Sequence, residues 1–255
     1  MLIKQRTAKL NRILAGHIKA QAVSNVKLGE SEFDSRYRWN PALGSTGRYI
    51  DRNGRAVSSR AIVGQLERVI EGVKGEMLQN AQDLIDGAIS PQIWYNRMSE
   101  SVRVIHGVTA SASAGGWAQM TEKHWEIVNE QVRDQAGYLD SFAIQVDKGE
   151  VKLGKGFLRR VGSYSDAARS TGLEIERNLA EKGSRRATHE MRVLGPADHC
   201  RTNPKTGQKG CVELAGHWEF IGTLPKIGDT PCGPNCRCHF VYGIKVGNDI
   251  IPIQE

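Results

Sequence analysis

The sequence predicts a mainly α-helical protein: a helical body followed by a small cysteine-rich C-terminal domain containing short strands. Three observations carry that expectation. Apolar residues recur at helical spacing through most of residues 58–179. All five cysteines fall between Cys200 and Cys238. The positive charge is concentrated in the first 60 residues. The resulting divisions are a basic N-terminal helix and linker over 1–47, a helical body over 48–185 and the cysteine-rich domain over 186–255.

Residues 1–25 place Leu2, Ile3, Leu10, Ile13, Leu14, Ile18 and Val23 at loosely helical spacing among lysines and arginines, as in a basic amphipathic helix. Residues 26–48 are rich in Gly, Ser, Asn and Pro and read as a long linker. Its aromatics Phe33, Tyr37 and Trp39 either dock on a partner or pack on the chain's own helices. Asn53-Gly54, between two short runs, predicts a type I′ hairpin turn. Ser58 or Ser59 then caps a helix with an apolar stripe from Ile62 to Met77, continuing to a stop at Gly87. Ser90-Pro91 opens the next helix, whose buried side is Trp94, Met98, Val102 and Ile105. The small-residue stretch that follows is a tightly packed helix, and Gly115-Gly116 marks its end or a close backbone contact. Thr121 caps a third helix carrying Trp125, Val128, Val132, Leu139, Phe142 and Val146, with His124 on its solvated side. Residues 147–156 form a loop, and Phe157 to about Leu179 is helical again. The polar run EKGSRRATHEMRVLG reads as a connector, with the domain boundary near 183–192.

Length and composition narrow the possibilities. The chain has 255 residues, 39% hydrophobic and 25% charged, which is globular composition. No run of about 18 apolar residues exists to form a transmembrane helix, so no membrane partner is expected. The start lacks the apolar block of roughly 7–15 residues that a secretory signal needs. A reducing cytoplasm is therefore the expected setting. Residues 1–60 hold twelve Lys or Arg against four acids, a net +8, whereas the whole chain carries +7. A basic arm of this kind suits DNA, RNA or another anionic partner, against the alternative of a solvated helix that binds nothing.

An odd number of cysteines in one tight cluster, in a reduced compartment, points to metal more than to disulfides. The donors are Cys200, Cys211, Cys232, Cys236 and Cys238. A tetrahedral zinc ion takes four thiolates at about 2.3 Å, and short spacings such as Cys232-x3-Cys236-x-Cys238 let one turn supply two of them. The favoured set is Cys200, Cys211, Cys236 and Cys238, with Cys232 close behind and His199, His217 and His239 as substitutes. Disulfides formed after assembly, or plain reduced thiols packed as small hydrophobes, are the competing readings. A region of about 60 residues rich in Gly, Pro and charge buries too little apolar surface to hold itself, so Zn2+ would make it a zinc-stabilised domain. Four thiolates close the coordination shell, and a closed shell is structural.

No catalytic pattern emerges. The chain contains no G-x-x-x-x-G-K-[ST], no H-E-x-x-H, no G-x-S-x-G and no G-x-G-x-x-G. HCRTNP at 199–204 lacks the glutamate context of a zinc deaminase. The expectation is a protein that is not an enzyme.

Two stretches carry a resemblance. R-V-L-G-x-x-D-H-C, then Cys211, then L-P-x-I-G-x-T-P-C-G-x-N-C-R-C resembles the C-terminal module of minor head proteins of tailed bacteriophages, the head-morphogenesis proteins of the phage Mu F type. Upstream, GRYIDRNGRAVS, DGAISPQIWYNRM, ASAGGWAQMT and QAGYLDSFA look like an arrangement found in phage and prophage proteins. The likeness spans about residues 48–240. In that family a close C-x-x-C pair precedes the terminal N-C-R-C, whereas here the pair is opened to Cys200-x10-Cys211. The resemblance implies a structural role in the virion head, reached from the host cytoplasm. A few copies would sit near the portal, touching capsid or portal proteins, DNA, or another copy of the chain.

Overall fold

Among the described residues, three of the four long helices start on a side-chain hydroxyl, as the capping serines and threonine predict. In the computed structural model, which describes residues 37–40, 48–182, 187–196, 200–233 and 236–253, Ser58 accepts the Ala61 N–H (3.3 Å) at the head of α1 (Ser59–Ile85). Ser90 does the same for Ile93 (3.3 Å) at the head of α2 (Pro91–Ala114), with Pro91 where no donor is needed. Thr121 accepts the His124 N–H at the head of α3 (Glu122–Asp147). The fourth helix, α4, spans Lys155–Lys182. α2 ends on Gly115, which adopts φ +97°, and Gly116 N–H closes back on the Ser111 carbonyl (2.7 Å). No helix among the described residues is long and apolar enough to cross a membrane.

The core of the body is aromatic. Trp94 is fully buried between Phe142 and Phe157, with ring centroids 5.5 and 5.4 Å away, and Met77, Met98, Leu139 and Val161 close around it. α2 and α4 make the central pair. Gly172 of α4 faces Thr109 and Ser113 of α2, so small residues let the two helices approach closely.

The C-terminal part is a four-stranded antiparallel sheet in the order β4-β3-β5-β6. Its strands are β3 (His189–Val193), β4 (Trp218–Phe220), β5 (His239–Val246) and β6 (Asp249–Pro252). Glu190 pairs with Tyr242 and Arg192 with Phe240 across β3 and β5, and all four side chains are buried. That face packs on α4, where the Arg177 guanidinium lies 4.7 Å over the Phe240 ring.

Four expectations need correction. The connector contains strand β3, because Glu190 and Arg192 alternate onto the buried face and are satisfied there. The hairpin is not type I′ at Asn53-Gly54: Gly54 N–H reaches the Asp51 carbonyl (3.0 Å) and Asp51 N–H the Arg55 carbonyl (2.9 Å). The loop therefore has three residues, with Gly54 at φ +76°, and Asp51 Oδ1 accepts the Asn53 and Arg55 N–H groups (2.9 Å each). The linker includes a strand, β1 (Arg38–Asn40), paired with β2 (Arg48–Ile50). Tyr37 packs with Tyr49, Val57, Ile62, Leu66 and Ala112 of its own chain. Finally, His124 is buried, not solvated, because its ring turns back so that Nδ1 accepts the Thr121 N–H (3.3 Å). The predicted N-terminal helix, Phe33 and the Trp39 side chain lie outside the described residues.

Candidate metal centre

Two loops converge on the end of β3 and bring the cysteines together. The first runs from Cys200 to Cys211. Asn203 N–H bonds the Gln208 carbonyl (2.8 Å), Gly207 N–H the Asn203 carbonyl (2.8 Å), and Gly207 sits at φ +70°. The loop thus closes on itself, and Val212 N–H reaches the Cys200 carbonyl (3.2 Å). A methyl group at Gly210 would overlap the Cys200 carbonyl, so this position takes only glycine. Cys211 begins the short helix α5 (Cys211–Leu214), and its N–H donates to Cys200 Sγ at 3.3 Å.

The second loop carries Cys232, Cys236 and Cys238. Gly233 N–H bonds the Thr230 carbonyl (2.8 Å) and Cys236 N–H the Gly233 carbonyl (3.0 Å), turning the chain sharply. The segment then passes Gly195, where a side chain would strike the Arg237 backbone. That close approach presses the C-R-C segment against the end of β3.

The five sulfurs form two sets of three, Cys200–Cys211–Cys232 and Cys211–Cys236–Cys238, within which all sulfurs lie within 4.8 Å of one another. Cys211 belongs to both, with its sulfur 3.5 Å from that of Cys232 and 3.6 Å from that of Cys236. Sulfurs at about 2.3 Å around a tetrahedral ion stand about 3.8 Å apart, so these separations are those of a ligand shell. All five thiols are unpaired by disulfide. The cluster is close enough to hold a metal ion, and its soft donors suit a thiophilic one. Every predicted cysteine joins it, and Cys232 lies as near Cys211 as Cys236 does. His217 and His239 are exposed and join neither set. His199 lies outside the described residues.

The surroundings are polar and ordered. Thr230 Oγ1 lies 3.2 Å from both Cys211 Sγ and Cys232 Sγ. Arg192, fully buried, points Nη1 at Cys211 Sγ (3.5 Å) and Nη2 at the Pro225 and Lys226 carbonyls. Burial pushes the Cys211 thiol well above its ordinary range, with Cys232 and Cys236 adding and Thr230 opposing. Burial likewise takes Cys232 up to about 11. For Cys200 and Cys236 burial is outweighed by hydrogen bonds, from Cys211 and from Cys238 respectively, so both shift down. Each set of three therefore holds one thiol biased toward thiolate. A bound cation would deprotonate its ligands outright.

Charged side chains fasten the centre to the helices. Arg237, between two of the cysteines, reaches Asp166 on α4 (3.5 Å), which also accepts from Arg169 (2.9 Å). Arg177 grips the fully buried Glu190 through two bonds and donates to the Leu224 carbonyl (2.7 Å). Lys226 bonds Glu130 on α3 (2.7 Å). Residue-type reasoning missed Arg192, Gly195 and Thr230 as parts of the site, although all three stand in the stretches that carry the resemblance. Compared with protein-family models, curated proteins and solved structures, the chain matches none.

Proposed function

We propose that the chain is a non-enzymatic minor capsid or head-morphogenesis protein of a tailed bacteriophage, whose C-terminal module is pinned by one structural zinc ion. One observation supports this reading above others: the residues of the resembling stretches converge in space. Arg192 and Gly195 from the first, and Thr230 and the C-R-C segment from the second, surround a single cluster of thiols.

Zinc fits the donors because it takes thiolates without redox change and accepts a closed tetrahedral shell. Its role is structural: four thiolates leave no position for a substrate. The ion supplies cohesion to a module whose core is small and whose strands are short. On this reading the helical body carries contacts to capsid or portal proteins. The basic residues of 1–60, of which Arg38 lies exposed on β1 and Arg52 and Arg55 on the turn after β2, would meet DNA or another anionic partner.

That charge favours a second reading, a zinc-containing nucleic-acid-binding module of phage or host. Sedimentation of heads from infected cells separates the two. A head protein travels with capsids at a fixed copy number, whereas a free binder stays in the soluble fraction. Deleting residues 1–29 is expected to weaken DNA binding and flatten its salt dependence. Absence from purified heads would overturn the first reading.

A further inference from the structure

The cluster offers five sulfurs to an ion that takes four. Resting on the zinc reading above, we infer that the ion is held permanently by Cys211, Cys236 and Cys238 while Cys200 and Cys232 alternate as the fourth ligand, which makes the centre able to exchange its metal.

The anchoring three are fixed from several sides. Cys211 is fully buried, belongs to both sulfur sets and is contacted by Arg192 and Thr230. Cys236 and Cys238 are buried in a segment that Gly195 holds against the end of β3 and that Arg237 ties to Asp166. Cys200 and Cys232 differ. They come from separate loops, share one set with Cys211, and stand within 4.8 Å of each other. Each stands within 4.8 Å of Cys211, so either sulfur, moved toward Cys236 and Cys238, would complete the same shell, and the ion needs only one of them. Cys232 is also the half-buried member of the five, the other four being buried. It is the sulfur that an external thiol or chelator meets first.

The exchange balances without an oxidant. The Cys232 thiol gives its proton to water and its sulfur bonds to zinc. The zinc–Cys200 bond breaks and that thiolate takes a proton back. Coordination number, total charge and oxidation states are the same before and after. The thiol left out at any moment is the one open to alkylation.

The test uses the full chain loaded with zinc, treated with iodoacetamide and mapped by mass spectrometry. One alkylation per chain is expected, divided between Cys200 and Cys232, with Cys211, Cys236 and Cys238 protected. Cys232→Ser and Cys200→Ser should each retain one zinc, lose the reactive thiol and release zinc to a chelator severalfold more slowly. The double variant and Cys211→Ser should lose tight binding. Two zinc ions per chain, loss of metal in either single variant, or labelling at Cys236 or Cys238 would overturn the exchange while leaving a metal centre in place. A wild-type chain that holds no zinc overturns the metal reading and this inference with it.

Discussion

Arg192 places Nη1 3.5 Å from Cys211 Sγ, and both side chains are fully buried. No carboxylate forms a salt bridge with Arg192 among the described residues, although Asp229 stands near enough to feel its charge; its other contacts are two carbonyls and the Phe240 ring. A guanidinium stays charged, and a buried charge needs a counter-charge nearby. A thiolate metal centre, as proposed for this cluster, would provide it. Arg192→Met is therefore expected to weaken zinc binding by roughly 10–100-fold, the range typical of lost partners to metal ligands. Competition with a chromophoric chelator reads this directly. Unchanged affinity in a folded Arg192→Met protein would remove Arg192 from the electrostatics of the site.

The Gly195 contact makes a second prediction. Gly195→Ala puts a methyl group into the Arg237 backbone, so the C-R-C segment must withdraw. Metal affinity should fall while helical content stays near wild type, because α1–α3 do not depend on that contact. A Gly195→Ala protein with normal affinity would show that the segment has room to spare.

Glu190 and Arg177 form a buried pair that ties β3 to α4. Removing Glu190 leaves Arg177 only the longer contact to Glu174 (3.4 Å), and Glu190→Ala is expected to cost about 3 kcal/mol. The double variant Arg177→Met with Glu190→Leu should recover only part of that loss, because Glu174 and the Leu224 backbone lose their partners with it. Denaturant unfolding of Arg177→Met, Glu190→Leu and the double variant forms the cycle. A cost below about 1 kcal/mol for Glu190→Ala would mean the pair is effectively solvated.

His106 gives the body an acid sensitivity. It is fully buried on α2, with Nδ1 2.5 Å from Thr171 Oγ1, and burial lowers it from 6.5 to about 4 against the opposing influence of the nearby Gln135. The unfolded chain thus binds a proton near pH 6.5 that the folded chain refuses until about pH 4. The stability it contributes is whole above pH 6.5 and is lost as pH falls from there to about 4, to the extent of about 3 kcal/mol. Burial shifts His124 the same way, so some slope will remain without His106. His106→Asn should flatten the pH dependence of unfolding in that window. An unaltered slope would place the acid sensitivity elsewhere.

Much of the body was legible because its signals are local. Ser90-Pro91, Thr121 and the stripes through Trp94 and Leu139 each depend on neighbours within a turn or two. Strand β3 was not legible. Its buried face is Glu190 and Arg192, polar letters that belong inside only because Arg177, Leu224 and Cys211 wait there from distant segments. His124 failed for a related reason, since a histidine between two glutamates looks solvated until its own cap folds it inward. The cysteine spacing announced a cluster, but spacing says nothing of which sulfur is shared. That Cys211 belongs to both sets depends on how two loops meet.

The central claim is that the cysteine cluster is one structural zinc centre, and metal content with its consequence for folding tests it most directly. Elemental analysis of the protein purified without chelator should find close to one zinc per chain. Stripping that zinc should unfold the C-terminal module, seen as lost amide protection over β3–β6, while α1–α3 stay protected. A chain that carries no zinc and keeps the same protection under chelator would contradict the account.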